Sequence, residues 1–199
     1  MIRLLGKLDK TKPYWVGLSG GADSMAALNF LKQMKFNVRG FHVNHNTEAC
    51  DQGHAFLMES LKGEFDSAHI SSIKPKNKSW EEHWRDGRYA IFNALENEVI
   101  VGHHLGDVTE TWIHSSLHGQ SKLIPYRHGN VIRPFLATPK AELISWCERH
   151  DVSWIEDYTN ADTKHQRNYI RHTMMPHILN INPGIGSMLR KRLLLRDVA

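Results

Sequence analysis

Ser19-Gly20-Gly21-Ala22-Asp23-Ser24 stands where an apolar run gives way to a helical pattern. Ahead of it, Tyr14, Trp15, Val16, Gly17 and Leu18 have strand length and β-favouring side chains. Behind it, Ala27, Leu28, Leu31 and Met34 recur at helical spacing. A strand, a glycine turn and a helix N-terminus together make an anion site. Glycines let the backbone approach a phosphate, unpaired N–H groups point at it, and the helix dipole adds partial positive charge. The Lys-Ser/Thr pair that closes a Walker loop is absent. The plainer reading is a Gly-Gly turn with Ser19 or Ser24 as a helix cap.

Outward from this stretch, strand-like and helical patterns alternate, which predicts βαβ units and an α/β fold with a doubly wound, mostly parallel sheet. Strands are expected at 38–45, 67–73 and 99–102, and a fifth at 152–155. Helices are expected at 51–62, 79–95, 107–117 and 139–150. Ser79 and Glu82 have capping-box spacing, and Thr138-Pro139 reads as a cap followed by proline at the first helical position. Residues 131–133 form a short extended piece ended by Pro134. In such a sheet a ligand sits beyond the carboxyl ends of the strands. The glycine loop, residues 42–45, His103-His104 and the residues after Ile155 can therefore surround one crevice.

A 199-residue chain with 41% hydrophobic and 23% charged residues suits a globular domain with a full core. The expected division is a catalytic domain at 1–177 and a small basic helical tail at 178–199. A net charge of +4 permits an anionic partner without proving one. Cys50 and Cys147 form no CxxC, so a zinc ribbon has no support, and two buried thiols in a reducing cytosol are expected. With neither a signal peptide nor an apolar run of about 20 residues, the expectation is a cytoplasmic protein with no membrane contact.

Three further segments carry chemistry. Asp107 and Glu110, three apart on a helix beside His103, could hold an amine or Mg²⁺; equally, Asp107 caps the helix with Glu110 at its third position. Arg85 and Arg88 lie one turn apart, suited to phosphate or to a solvated face opposite Trp84, Ile91, Phe92 and Leu95 as core. Arg167 and Arg171, four apart, suit an RNA phosphate or ion pairs with Asp157 or Asp162. Arg133 alone is a weak signal.

In this order the segments resemble the catalytic domain of the tRNA(Ile)-lysidine synthetase family, PP-loop ATP pyrophosphatases, from about residue 14 to 177. The resemblance rests on Ser-Gly-Gly-x-Asp-Ser at 19–24, His-x-Asn-His at 42–45 and Arg-x-x-Arg-Tyr at 85–89. It continues through His-His-x-x-Asp-x-x-Glu-Thr at 103–111, Arg133-Pro134 and Asp-x-Thr-Asn…Arg-Asn-x-x-Arg at 157–171. It implies a two-step reaction. ATP adenylates the C2 carbonyl of the wobble cytidine in a CAU-anticodon tRNA, releasing pyrophosphate; the amine of free lysine then displaces AMP. Ser19, Gly20, Gly21, Ala22, Asp23 and Ser24, with His42, Asn44 and His45, become the expected ATP contacts, Asp23 also binding Mg²⁺. Asp107 and Glu110 would hold the lysine ammonium groups, Arg85 or Arg88 the adenylated intermediate, and His103 would flank the reacting centre. Arg133, Asn160, Arg167, Asn168 and Arg171 join Asp107 and Glu110 as substrate and RNA contacts.

Two departures stand out. Gly106 replaces the first of two adjacent aspartates usual in the family, and the sequence stops where longer members continue into tRNA-binding domains. Rival expectations are a tRNA thiolase, an amide ligase of the NAD or GMP synthetase kind, and a non-catalytic RNA-binding relic. A homodimer is compatible with so small a domain, but no motif supports one.

Overall fold

The computed structural model of the chain describes residues 1–156 and 166–197. Six strands form one sheet: β1 (Pro13–Leu18), β2 (Asn37–Asn44), β3 (Phe65–His69), β4 (Val99–Ile100), β5 (Arg127–His128) and β6 (Val131–Ile132), in the order β3-β2-β1-β4-β6-β5. Every neighbouring pair is parallel except the β5–β6 hairpin. The chain winds from β1 out to β3, then returns to the other side of β1 as β4. That reversal opens a crevice between the carboxyl ends of β1 and β4, the switch point of a doubly wound sheet.

Helices α1 (Ala22–Gln33), α2 (Glu48–Leu61), α3 (Trp80–Ala94), α4 (Leu105–Leu117) and α5 (Lys140–Arg149) alternate with the strands. α1, α2 and α5 contribute Met25, Leu31, Leu57, Leu143 and Cys147 to one apolar cluster on β1. Fully burying leucines such as Leu31 and Leu57 contributes roughly 1.5–3 kcal/mol each. On the other side, Phe92 of α3 packs with Phe41, Val43, Val99 and Val131. At the C-terminal end, the turn α6 (Gln166–Tyr169) runs through a π-helical segment (Ile170–Met174) into α7 (Met175–Ile181), followed by α8 (Ile185–Asp197). Ile170, Ile185, Leu189 and Leu193 from this region pack on Leu105, Val108 and Ile113 of α4. Among the described residues no helix is long and apolar enough to cross a membrane.

The observed α/β architecture matches the expectation, with corrections. Residues 152–155 form no strand. The Val152 N–H donates to the Cys147 carbonyl, and the Ile155 N–H donates to the Gly20 carbonyl at 3.0 Å, so this segment braces the glycine loop instead of entering the sheet. The fifth sheet position belongs to β6, within the piece that Pro134 ends. Ser79 and Glu82 do form the capping box. On α4, however, the box lies three residues earlier than expected, with His104 as cap and Asp107 at the third position. Thr138 does not cap α5; its hydroxyl donates to the Arg3 carbonyl and accepts from the Arg3 N–H. Cys147 is buried but Cys50 is only half-buried.

The close approach at the switch point depends on Gly102. A Cβ there would stand 2.7 Å from the Asp23 carbonyl oxygen and 2.9 Å from its carbon, both backbone atoms that cannot swing aside. Gly102→Ala is therefore expected to lower stability by roughly 1–3 kcal/mol and to weaken nucleotide binding together with it. Denaturant melts and a nucleotide titration check this; a variant unchanged in both would mean that the first turn of α1 yields freely.

Candidate active site

The loop after β1 is held by its own serines. Ser24 Oγ donates to the Gly21 carbonyl at 2.9 Å and accepts from the Ser19 N–H at 3.2 Å, and Ser19 Oγ accepts from the Gly21 N–H at 3.3 Å. Gly20 takes φ +85°, a left-handed conformation that favours glycine. Gly21 occupies the N-cap of α1 without any side-chain cap. The start of that helix thus keeps its free N–H groups and positive dipole end for an anion. Asp23 sits in the first turn, with Oδ2 3.5 Å from His104 Nε2, while its buried Oδ1 has no hydrogen-bond partner among the described residues.

His104 links the two strand ends. Its Nδ1 accepts from the Gly106 N–H at 3.0 Å and caps α4, while Nε2 faces Asp23. Burial disfavours charge on this ring, but the hydrogen bond to Asp23 and the charge of Asp107 outweigh it and raise the pKa. Gly106 makes this pose possible, because a Cβ there would lie 2.7 Å from His104 Cε1. The missing aspartate therefore has a local structural consequence: it frees the space that the His104 ring fills.

His103 leaves the strand on the opposite side, as successive residues do. Arg133 Nε donates to its Nδ1 at 3.3 Å. Because arginine only donates, Nδ1 is unprotonated and the neutral ring carries its proton on Nε2. Burial first, then the charges of Arg133, Arg88 and Arg167, push its pKa down to about 4 against the pull of Asp107. Arg133 itself is 3% exposed and spends its other nitrogens on the Pro125 carbonyl and the Tyr89 hydroxyl, at 2.9 and 2.7 Å. The expected RNA contact thus falls on a buried side chain that is hydrogen-bonded to His103.

Asp107 and Glu110 share one face, as their spacing predicted, and an internal cation already occupies it. Arg171, on the π-helical segment, donates from Nε to Glu110 Oε1 at 2.7 Å and from Nη2 to Glu110 Oε2 at 2.9 Å, with Asp107 Oδ1 at 3.5 Å. This bidentate fork binds Arg171 to Glu110, a partner the sequence reading did not name; the aspartates it did name, Asp157 and Asp162, lie outside the described residues. Asp107 Oδ2 accepts from the His104 N–H at 2.8 Å. Burial works against its charge, but His104, His103 and Arg171 hold its carboxyl below the usual range. Beside Glu110 and Arg171 opens a cavity of about 270 Å³, lined also by Gly106, Lys140, Met175 and Ile185.

The two candidate arginines separate. Arg85 is exposed, over the Tyr89 ring at 6.0 Å. Arg88 points its charge at the site: burial depresses its own pKa, and it helps to depress those of His45 and His103. Arg167 is exposed on α6 but within electrostatic reach of the same groups, and Asn168 beside it is half-buried. His42 and Asn44 are buried beneath the loop; His42 Nδ1 donates to the Leu18 carbonyl at 2.9 Å, and Asn44 donates to Asp51 at 2.9 Å. They brace the site from below. His45 stacks on Trp84 and is pushed to about 4, chiefly by burial and then by Arg88. Asn160, with Asp157 and Asp162, lies outside the described residues. The roles of His104 and Tyr89 escaped the sequence reading; the paired histidines leaving one strand were the only signal for the first.

A Mg²⁺ ion fits this donor set in one way. Among the described residues no group of three His, Cys, Asp or Glu could hold a metal, but Mg²⁺ commonly takes one or two carboxylates with phosphate oxygens and water. The unsatisfied Asp23 Oδ1 beside an open helix N-terminus meets that requirement.

The profile of a family described as a PP-loop domain matches residues 2–178. The chain is 32% identical over 215 residues to a tRNA(Ile)-lysidine synthase of Legionella pneumophila (strain Paris), covering 94% of this chain and 47% of that protein. It is 28% identical over 211 residues to one from Francisella tularensis subsp. novicida, covering 94% and 52%. The chain thus spans about half the length of the curated relatives it matches. A solved NH3-dependent NAD synthetase from Campylobacter jejuni aligns at 17% identity and TM-score 0.49, covering 94% of this chain and 85% of that one.

Two outcomes follow from the charges. With His45 and His103 lowered from 6.5 to about 4, the unfolded chain takes up these protons below pH 6.5 and the folded chain does not. Stability is complete above about pH 6.5 on their account and falls as the pH drops toward 4. His45→Gln is expected to flatten that slope in pH-dependent melts; an unchanged slope would remove His45 from the account. Arg171→Met leaves Glu110 buried without its fork, at an expected cost of roughly 1–3 kcal/mol, reduced because Arg171 is partly exposed; a stability equal to wild type would show that the pair contributes nothing.

Proposed function

The chain belongs to the PP-loop domain family, and on that premise we propose that it uses ATP and Mg²⁺ to adenylate a tRNA cytidine, which an amine then attacks. The observation that carries this is the uncapped start of α1, with Asp23 Oδ1 unsatisfied and Oδ2 against His104, whose backbone N–H is held by the Arg171-paired Asp107. The similarity to proteins named tRNA(Ile)-lysidine synthase supports tRNA(Ile) with a CAU anticodon as the RNA, and lysine as the amine.

In the first step the cytidine O2 attacks the α-phosphorus and the bond to the β-phosphate breaks, releasing pyrophosphate. The N–H groups of the loop and the charge of Arg88 stabilise the phosphates as negative charge builds. Asp23 would hold Mg²⁺ at the same phosphates, where the ion supplies Lewis-acid neutralisation. In the second step the amine bonds to C2, the C2–O bond breaks, AMP departs, and the amine loses a proton. Arg171 engages both oxygens of Glu110 and lies 3.5 Å from Asp107, so an incoming ammonium would share these two carboxylates with it. The neighbouring Arg171 charge favours the neutral, nucleophilic form of that amine. His103, fixed by Arg133, offers Nε2–H as a neutral donor beside the reacting groups. A cavity lined by Met175, Leu179 and Ile185 next to Glu110 suits the methylene stem of such an amine.

Incubating the protein with ATP, Mg²⁺, radiolabelled lysine and a CAU-anticodon tRNA transcript should place label in the RNA, with AMP and pyrophosphate released in equal amounts. Asp23→Ala is expected to slow this at least about 100-fold with an unchanged melting curve. ADP and orthophosphate as products would refute the reading, and pyrophosphate release indifferent to lysine would refute the amine.

A further inference from the structure

Trp80 and Trp84 lie one turn apart on α3, yet neither enters any of the three apolar clusters among the described residues. Trp84, expected in the core, is only half-buried, and Trp80 is 45% exposed. The apolar area of a tryptophan is large, and leaving it in water forgoes much of its contribution to folding. The rings are nonetheless ordered with respect to one another. Trp80 stacks on Trp84 with centroids 5.6 Å apart at 30°, and Trp84 stacks on His45 at 5.9 Å and 9°. The stack begins just past β2, within electrostatic reach of Arg88, and ends at the surface.

Its surroundings favour a polyanion. Lys74 Nζ lies over the Trp80 ring at 5.8 Å. Of the acids on this part of α3, Glu82 is bound to Ser79 as its capping partner and Asp86 is paired with Lys78, while Glu81, next to Trp80, is exposed in the first turn. Flat aromatic faces with a lysine over them are an arrangement that holds single-stranded nucleic acid: the cation meets the backbone, and any base can stack.

Building on the RNA reading above, we propose that the His45–Trp84–Trp80 stack is a platform for an unstacked RNA base, the neighbour of the base that enters the crevice. Extruding one base from a loop strips its neighbour of a stacking partner, and the Trp80 face supplies a replacement. Such a platform adds affinity for single-stranded RNA without demanding a particular sequence, and it leaves nucleotide binding at the glycine loop untouched.

The test uses the full chain, a labelled anticodon stem-loop RNA with a CAU loop, and the variants Trp80→Leu, Trp84→Leu and Trp80→Phe, each checked by melting. Stem-loop binding should quench wild-type tryptophan fluorescence. Each leucine variant should bind the stem-loop about 5- to 150-fold more weakly, while ATP affinity and affinity for a blunt RNA duplex stay unchanged. Trp80→Phe, which keeps a ring, should recover most of the loss. Wild-type binding with equal affinity in the leucine variants, or equal losses on loop and duplex, would overturn the platform and leave the RNA reading standing. Unchanged fluorescence at RNA saturation would also overturn it, and would assign the patch to a protein partner. A wild-type protein that binds no RNA at all would overturn both.

Discussion

The end of β4 meets the first turn of α1 at a separation that leaves no room for a side chain. Gly102 faces the Asp23 carbonyl there, and the rest of the site follows from that approach. It places His104, two residues beyond Gly102, against the Asp23 carboxylate, and it brings the start of α4 beside the start of α1. Two helix N-termini then converge on one crevice, each a source of partial positive charge. The two are finished differently. α4 is closed by its own histidine and aspartate, and α1 is left without a cap.

Concentrated positive charge must be balanced, and the fold does this without filling the anion site. Asp107 and Glu110 hold Arg171 at one edge, while Arg133 is buried among neutral acceptors: a carbonyl, a hydroxyl and an imidazole nitrogen. The histidines nearest the arginines stay neutral because burial and like charge act in the same direction on them. Among the described residues, the loop, Arg88 and the exposed Arg167 have no carboxylate bound to them. His104 links both halves, its Nδ1 accepting from Gly106 on α4 and its Nε2 facing Asp23 on α1.

The sequence reading named many of the segments that the fold brings together, but not the partners their side chains find. Arg171 was read as a contact for an RNA phosphate or a nearby aspartate, and Arg133, a weak signal alone, became an RNA contact through the family resemblance. A list of residues shows an arginine's charge but not whether a carboxylate or a carbonyl from another element will reach it first. Arg171 is engaged by side chains 61 and 64 positions away, and Arg133 by one 44 positions away. Gly106 stood out as a departure from the family's motif, and the structure adds a steric effect on the ring two residues before it. Trp84 was counted as core because helical spacing identifies a face without saying whether anything covers it.

Residue order alone determined the α/β class, the glycine turn between β1 and α1 and the Ser79 cap. These depend on local periodicity and on turn chemistry. Tertiary structure alone decided that β6, not residues 152–155, enters the sheet. A two-residue strand carries no periodicity and is defined only by the hydrogen bonds of its neighbours. It also decided which charges are paired, because pairing depends on distances between distant segments, and those distances exist only once the chain has closed on itself.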